Sequence, residues 1–355
     1  MSLFICKATI AVSLAICLGA IGSVFTLAAQ EPEISILEVP RIEGTIEVKL
    51  AAGQNQEESP EKDQDQEKDQ DQEKDQDQEK DQDQEKDQEA VIESNQPHED
   101  LDAVLWIQTS AEYDAIARQT FRAARAAVGD ALVDSSWTAS TEQLKMLQGQ
   151  EDEGWLGGLP PAVVLDVDET VLDNSSYQVS LIESDGEYSR DGWKAFVEKQ
   201  VSTPIPGAVA FVNACRTAGV TVIYVTNREH EVEAATRANL IKHGLMKESD
   251  PDLIFTKNEK ETWTSDKETR RQELAEKYRI LLLLGDDLND LIATERHCSS
   301  EERVAAGDKY KSWFGERWFM LPNPNYGGWE RSLYNHENAV SSSTKRKRKR
   351  KNMVR

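Results

Sequence analysis

Three short polar clusters hold most of the chemistry this sequence could perform: DVDETVLDN from Asp166, TNRE from Thr226 and GDDLND from Gly285. Asp166 and Asp168 stand two residues apart, so in an extended chain both side chains leave on the same side. Two close carboxylates repel, and a hard cation coordinated by oxygens relieves the repulsion. With Asp286 from the third cluster, the pair would make an acidic cup suited to Mg²⁺. A carboxylate can attack phosphorus and so divide one difficult displacement into two easier ones; Asp166 takes that role. Asp168 is then in position to protonate the leaving alkoxide and later to take a proton from the attacking water. The group in transfer spreads negative charge over its oxygens and calls for donors and a cation. Thr226, Asn227, nearby backbone N–H groups and a lysine supply them, with Lys267 assigned as the lysine and Lys257 held in reserve. Taken alone, an acidic pair after a strand could simply cap the next helix, and Asp287 is expected to do that.

Each cluster follows a short apolar run rich in β-branched residues: Ala162 to Val167, Val220 to Val225 and Ile280 to Leu284. Runs of this kind read as strands of a parallel sheet covered on both faces. Helices fill the intervals, over Ala208 to Ala218, Val232 to His243 and Asp266 to Tyr278. Ahead of them, Leu101 to Leu132 places Trp106, Tyr113, Ala117, Phe121 and Ala124 on one helical stripe that reads as core. The fold class is α/β, a doubly wound parallel sheet. Ligands bind such sheets outside the carboxyl ends of the strands, where the three clusters should converge.

These motifs resemble the four motifs of the haloacid dehalogenase (HAD) superfamily of phosphohydrolases. Longer stretches are similar to the class C acid phosphatases, including the bacterial lipoprotein 5'-nucleotidases: AVLWIQTSAEYDAIARQTF from Ala103, DVDETVLDNSSYQ, PIPGAVAFVN from Pro204, YVTNR from Tyr224 and LPNPNYGGWE from Leu321. The resemblance covers nearly all of Leu101 to Leu333. It implies a Rossmann-like core with a small helical cap, Mg²⁺ as cofactor, and hydrolysis of phosphomonoesters, nucleoside monophosphates among them. Residue by residue, it implies Asp166 as nucleophile and metal ligand, Asp168 as acid–base with its main-chain carbonyl on the metal, and Asp286 as a further ligand. Thr226 and Lys267 fall at the phosphate, and Trp193 and Tyr326 stack on a nucleoside base. The sequence departs from the family pattern in lacking a lipobox, in the SDKETRR context of Lys267, and in Asp287, where the family usually carries Asn; that acid would add negative charge beside the metal.

Composition trims the folded part to about 240 of the 355 residues, expected over 98–340. Lys7 and the apolar run from Ala8 to Leu27 read as a signal peptide over 1–29, and hence as export to a periplasmic or extracellular space. An acidic linker over 30–97 contains four copies of EKDQDQ from Glu61 to Gln84, and its low-complexity stretch from Gln54 to Glu89 offers nothing apolar to bury, so disorder is expected there. It supplies much of the formal net charge of −24, which therefore says little about the catalytic surface. The basic run KRKRKRK within 341–355 reads as a disordered tail able to touch anionic surfaces; without interleaved aromatics, no nucleic-acid partner is expected. Cys215 and Cys298 either pair or remain buried thiols, and no CxxC motif or His cluster with metal-ligand spacing points to zinc. Two other functions compete with hydrolysis: a non-catalytic envelope protein that keeps the fold for binding or storage, and a phosphotransferase.

Overall fold

The computed structural model describes residues 98–148, 154–294, 297–337 and 340–353. The expected signal peptide and acidic linker lie outside these residues. The stretch read as one long helix forms two, α1 (Leu101–Thr109) and α2 (Ala111–Val133). Ser110 divides them: its backbone is extended, and its side chain accepts the Tyr113 N–H at 3.1 Å, capping α2. Tyr113, Ala117, Phe121, Ala124, Val128 and Ala131 form the buried stripe of α2. Helix α3 (Thr141–Leu147) and the single turn α4 (Trp155–Gly158) lead to the first strand.

Strand β1 (Pro161–Leu165) is followed by the two-residue β2 (Leu172–Asp173), helices α5 (Ser175–Glu183) and α6 (Arg190–Glu198), and β3 (Thr203–Pro204), which pairs antiparallel with β2. This insertion is the small helical cap. Tyr177, Phe196 and Val197 of the cap pack with Val232 and Ala235 from the region after the next long strand. Gly207 then opens α7 (Ala208–Thr217) at φ +98°, where a Cβ would also press on the Phe121 ring at 3.2 Å. A left-handed backbone against a core aromatic leaves room only for glycine.

The chain continues through β4 (Thr221–Glu229), α8 (Glu233–Lys242), β5 (Ile254–Lys257), α9 (Glu268–Lys277), β6 (Arg279–Gly285), the short α10 (Leu288–Leu291), α11 (Ser300–Asp308), β7 (Trp318–Met320), α12 (Gly328–Ser332) and α13 (Ser342–Lys351). The main sheet runs β5-β4-β1-β6-β7 with all pairs parallel. From β1 the chain winds outward through β4 to β5, then crosses back to β6 and β7. The order therefore reverses beside β1, and the carboxyl ends of β4, β1 and β6 meet at the reversal, where an open parallel sheet offers its binding crevice. Strands β5 and β7 were not foreseen. Both are edge strands of three or four residues, too short to show periodicity.

Residues 342–351, expected to be a disordered tail, are helical. Lysine and arginine are good helix formers, and the domain supplies the counter-charge that a free tail would lack. Lys349 lies 2.9 Å from Glu99 and 2.8 Å from Glu330, Arg346 lies 3.3 Å from Glu99, and Arg348 lies 3.1 Å from Glu337. Cys215 and Cys298 are both buried and unpaired.

Candidate active site

The first aspartate stays beside the sheet: the Asp166 N–H donates to the Leu284 carbonyl of β6 at 2.9 Å. Carboxylate oxygens of Asp166, Asp286 and Asp290 all lie within 4.8 Å of one another. Asp290 belongs to GDDLND but was given no role in the sequence. One turn of α10 folds it back over the end of β6, and Gly285 makes the space, since a Cβ there would collide with the Asp290 carboxylate. Asp286 is held from both sides, by the Thr170 hydroxyl at 3.2 Å and the Asn323 amide at 2.8 Å.

Lys267 reaches this cup, and Lys257 does not: the Lys267 ammonium contacts Asp166 Oδ1 and lies 2.6 Å from Asp290 Oδ1, whereas Lys257 sits 3.7 Å from Glu229. Lys267 occupies the N-cap of α9, a full helix before β6. Its position is reached through packing of α9, which Arg271 pins to Glu142 of α3 at 3.1 Å in a pair almost closed to solvent.

One ammonium does not offset three carboxylates, Asp166 buried and Asp286 and Asp290 half-buried. Burial pushes the Asp166 carboxyl up to about 7 against the pull of Lys267, with Asp290 and Asp168 adding to the rise. Burial, Asp290 and Asp166 likewise hold Asp286 well above the usual carboxylate range. For Lys267, burial works against the charge, but Asp166 and Asp290 outweigh it and keep the ammonium protonated. Three hard oxygen donors short of positive charge fit a hard divalent cation such as Mg²⁺.

The regular strand ends at Leu165, and the Asp168 side chain, although its charge acts on Asp166, is not a member of the three-acid cluster. Its Oδ1 instead accepts from Arg228 Nε and Asn174 Nδ2, each at 2.9 Å.

Comparison with known proteins bears on this site directly. The sequence model of the HAD superfamily, subfamily IIIB (acid phosphatase), matches residues 82–329, well over half of the chain. The chain belongs to this family. The start of the match falls inside the last EKDQDQ copy, ahead of the first described residue. Among solved structures, the class C acid phosphatase from Bacillus anthracis is similar at 29% identity, covering 72% of this chain and 96% of that one, with a TM-score of 0.60. The same Bacillus anthracis enzyme with tungstate bound gives 28% identity, the same coverage of 72% and 96%, and a TM-score of 0.58. This chain is accordingly an acid phosphatase, a phosphomonoester hydrolase on a HAD-like α/β fold.

In this acid phosphatase the remaining expected site residues divide by what already holds them. The Thr226 hydroxyl, in the second half of β4, accepts the Arg228 N–H at 3.1 Å and keeps its own proton as a donor. The Asn227 side chain is spent on bracing, donating to the Ser265 carbonyl at 3.0 Å and accepting from Arg270 at 2.7 Å. Trp193 packs in the cap, stacked on Phe196 at 5.5 Å and edge-on to Tyr177 at 5.0 Å, with the Arg228 guanidinium 5.7 Å over its ring. The Tyr326 hydroxyl donates to Glu169. Burial and the Asp168 charge push Glu169 up to about 8, although the Tyr326 hydrogen bond opposes this. No ring contact joins Trp193 to Tyr326 among the described residues.

Asp287, expected to add charge beside the metal, faces away from it. Arg303 lies 2.9 Å from its Oδ1, and the Asn289 and Gly328 N–H groups donate to it. Burial alone would raise this carboxyl, but Arg303 and the two N–H groups hold it below the usual range. Its capping of α10 follows the expectation.

Asp290, Arg228, Asn174 and Asn323 are the site residues that sequence reasoning missed. All four stand inside quoted motifs, so the signal was present; what was missing was the direction of each side chain. A further group, His230, Glu233 and Glu259, brings possible ligand atoms within 4.8 Å of one another around the Thr256 hydroxyl at the surface. It joins positions from two strand ends and was invisible to spacing.

Proposed function

We propose that this phosphatase works through an aspartyl-phosphate on Asp166, with Mg²⁺ held by Asp166, Asp286, Asp290 and the Asp168 main-chain oxygen. The buried cup carries this reading: three carboxylates and a single ammonium gathered at the strand reversal. Bound there, the cation would neutralise the cup and the phosphate oxygens. The Asp166 carboxylate forms a bond to phosphorus as the ester P–O bond breaks, and the electron pair goes to the leaving oxygen, which takes a proton from Asp168. Water then attacks phosphorus and yields its proton to Asp168, while the pair of the P–O bond to Asp166 returns to the carboxylate and inorganic phosphate departs. Thr226 and Lys267 hold the charge that builds on the phosphoryl oxygens. The related Bacillus anthracis enzyme binds tungstate, an oxyanion of phosphate-like shape, in support of an oxyanion seat here.

Nucleoside monophosphates are the substrate class we favour, because two aromatic residues flank Asp168: Trp193 through Arg228, and Tyr326 through Glu169. The apolar run from Ala8 to Leu27 favours action outside the cytoplasm. Acid quenching during turnover, followed by mass spectrometry, tests the mechanism. A phosphoryl adduct on the Asp166 peptide that vanishes with a chelator is the expected result; turnover indifferent to chelation would remove the metal from the scheme. A phosphate-release screen of nucleotides against sugar phosphates and phosphopeptides decides the substrate class.

A further inference from the structure

The Asp168 carboxylate is held unevenly. Arg228 Nε at 2.9 Å, Arg228 Nη2 at 2.8 Å and Asn174 Nδ2 at 2.9 Å all converge on Oδ1. Among the described residues Oδ2 has no hydrogen-bond partner, and the side chain is 18% exposed. The holders are themselves fixed. Arg228 is closed to solvent, its Nη2 donates to Asn174 Oδ1 at 3.1 Å, and its Nη1 lies 3.4 Å from the Thr236 hydroxyl of α8. Ser202 donates to the same Asn174 oxygen at 2.6 Å. The Arg228 guanidinium also sits over Trp193 of the cap. A carboxylate gripped on one oxygen by three donors presents the other oxygen in one direction only. Proton transfer rewards this, because small errors in the position of the acid lower the rate steeply.

We propose that Arg228 and Asn174 are positioning residues for the hydrolysis: they fix Asp168 by Oδ1 so that Oδ2 carries the proton to the leaving oxygen. The inference rests on the reading of Asp168 as acid–base. A staple between cap and core would need the arginine but would not need all three donors on one oxygen.

The leaving group separates these roles. An alkyl phosphate needs its leaving oxygen protonated, whereas p-nitrophenyl phosphate leaves as a stabilised anion and hardly does. In the full chain with Mg²⁺, Asp168→Asn should lose roughly 10² to 10⁴-fold in kcat on glycerol phosphate and far less on p-nitrophenyl phosphate. Arg228→Lys keeps the charge but loses the fork; it should lose roughly 10²-fold on glycerol phosphate, with KM little changed and a several-fold smaller loss on p-nitrophenyl phosphate. If Asp168→Asn discriminates between the substrates and Arg228→Lys loses both equally, the positioning role is overturned and the acid–base reading stands. If Asp168→Asn itself fails to discriminate, the acid–base reading falls first and takes the inference with it. Should Arg228→Lys lack the wild-type circular dichroism spectrum, Asn174→Ser, which removes the other donor to Oδ1, decides by the same ratio.

Discussion

Five aspartates of this site fall into two groups that differ in how positive charge is supplied. Asp166, Asp286 and Asp290 share one ammonium, Lys267, in a buried cup. Asp168 and Asp287, one or two residues along the chain from cup members, each own a guanidinium, Arg228 at 2.8 Å and Arg303 at 2.9 Å. Removing a carboxylate from water costs several kcal/mol unless a partner compensates. The arginine-paired acids are compensated within the chain, and the cup is not. The difference teaches where a cation would belong: a metal would complete the first group, whereas the side chains of the second already have their counter-charge.

Deleting the nucleophile should break the cup most severely. Asp166→Asn is expected to lower kcat by roughly 10⁴-fold or more, the scale of a lost nucleophile. Without metal, its melting temperature should hold or rise, because one uncompensated buried charge is gone. Retained hydrolysis in this variant would assign the attack to another group. Next in size, Asp290→Asn should weaken Mg²⁺ binding by at least tenfold to a hundredfold, a range that even outer partners of metal ligands reach. Titration calorimetry measures it, and unchanged affinity would take Asp290 out of the cup.

That second prediction marks how far the sequence could be read. The sheet and the three strand ends were legible because apolar runs such as ILLLL from Ile280 have few alternatives when both faces are covered. Asp166, Asp286 and Lys267 followed from their motifs. Asp290 did not, because its approach depends on a one-turn helix closing over a glycine, and that is settled by packing. The partners of Asp168 were not legible either: the regular strand ends at Leu165, and Arg228 and Asn174 reach its carboxylate from other elements. The basic tail went wrong for a related reason. Its helix draws on Glu99, some 250 residues away, and on Glu330 and Glu337, which the fold brings round to it from just ahead in the chain.

A smaller effect tests the shortage of charge through pH. In the folded, metal-free chain Asp166 binds its proton up to about pH 7, against 3.8 for an ordinary aspartate. A raised carboxyl pKa contributes stability at low pH that is lost as pH rises through the folded value. Metal favours the ionised cup and restores what is lost. The gain in melting temperature on adding Mg²⁺ should therefore be small near pH 5 and widen steadily to about pH 8. A gain independent of pH would mean that Mg²⁺ binds away from these carboxylates.

The finest test lies within GDDLND, between two acids separated by two residues. Asp287→Asn keeps a good N-cap for α10 and still offers Arg303 an oxygen, but it removes the charge of the pair. The expected cost is about 1 to 2 kcal/mol in urea unfolding, the scale of one charge-assisted hydrogen bond, with Mg²⁺ affinity altered less than twofold. The two acids are then distinguished by what each faces, since Asp290 turns to Lys267 and the cup, and Asp287 turns to Arg303. A tenfold change in Mg²⁺ affinity in Asp287→Asn would show that its charge reaches the metal despite Arg303. The division between supplied and unsupplied acids would then have to be redrawn around distance alone.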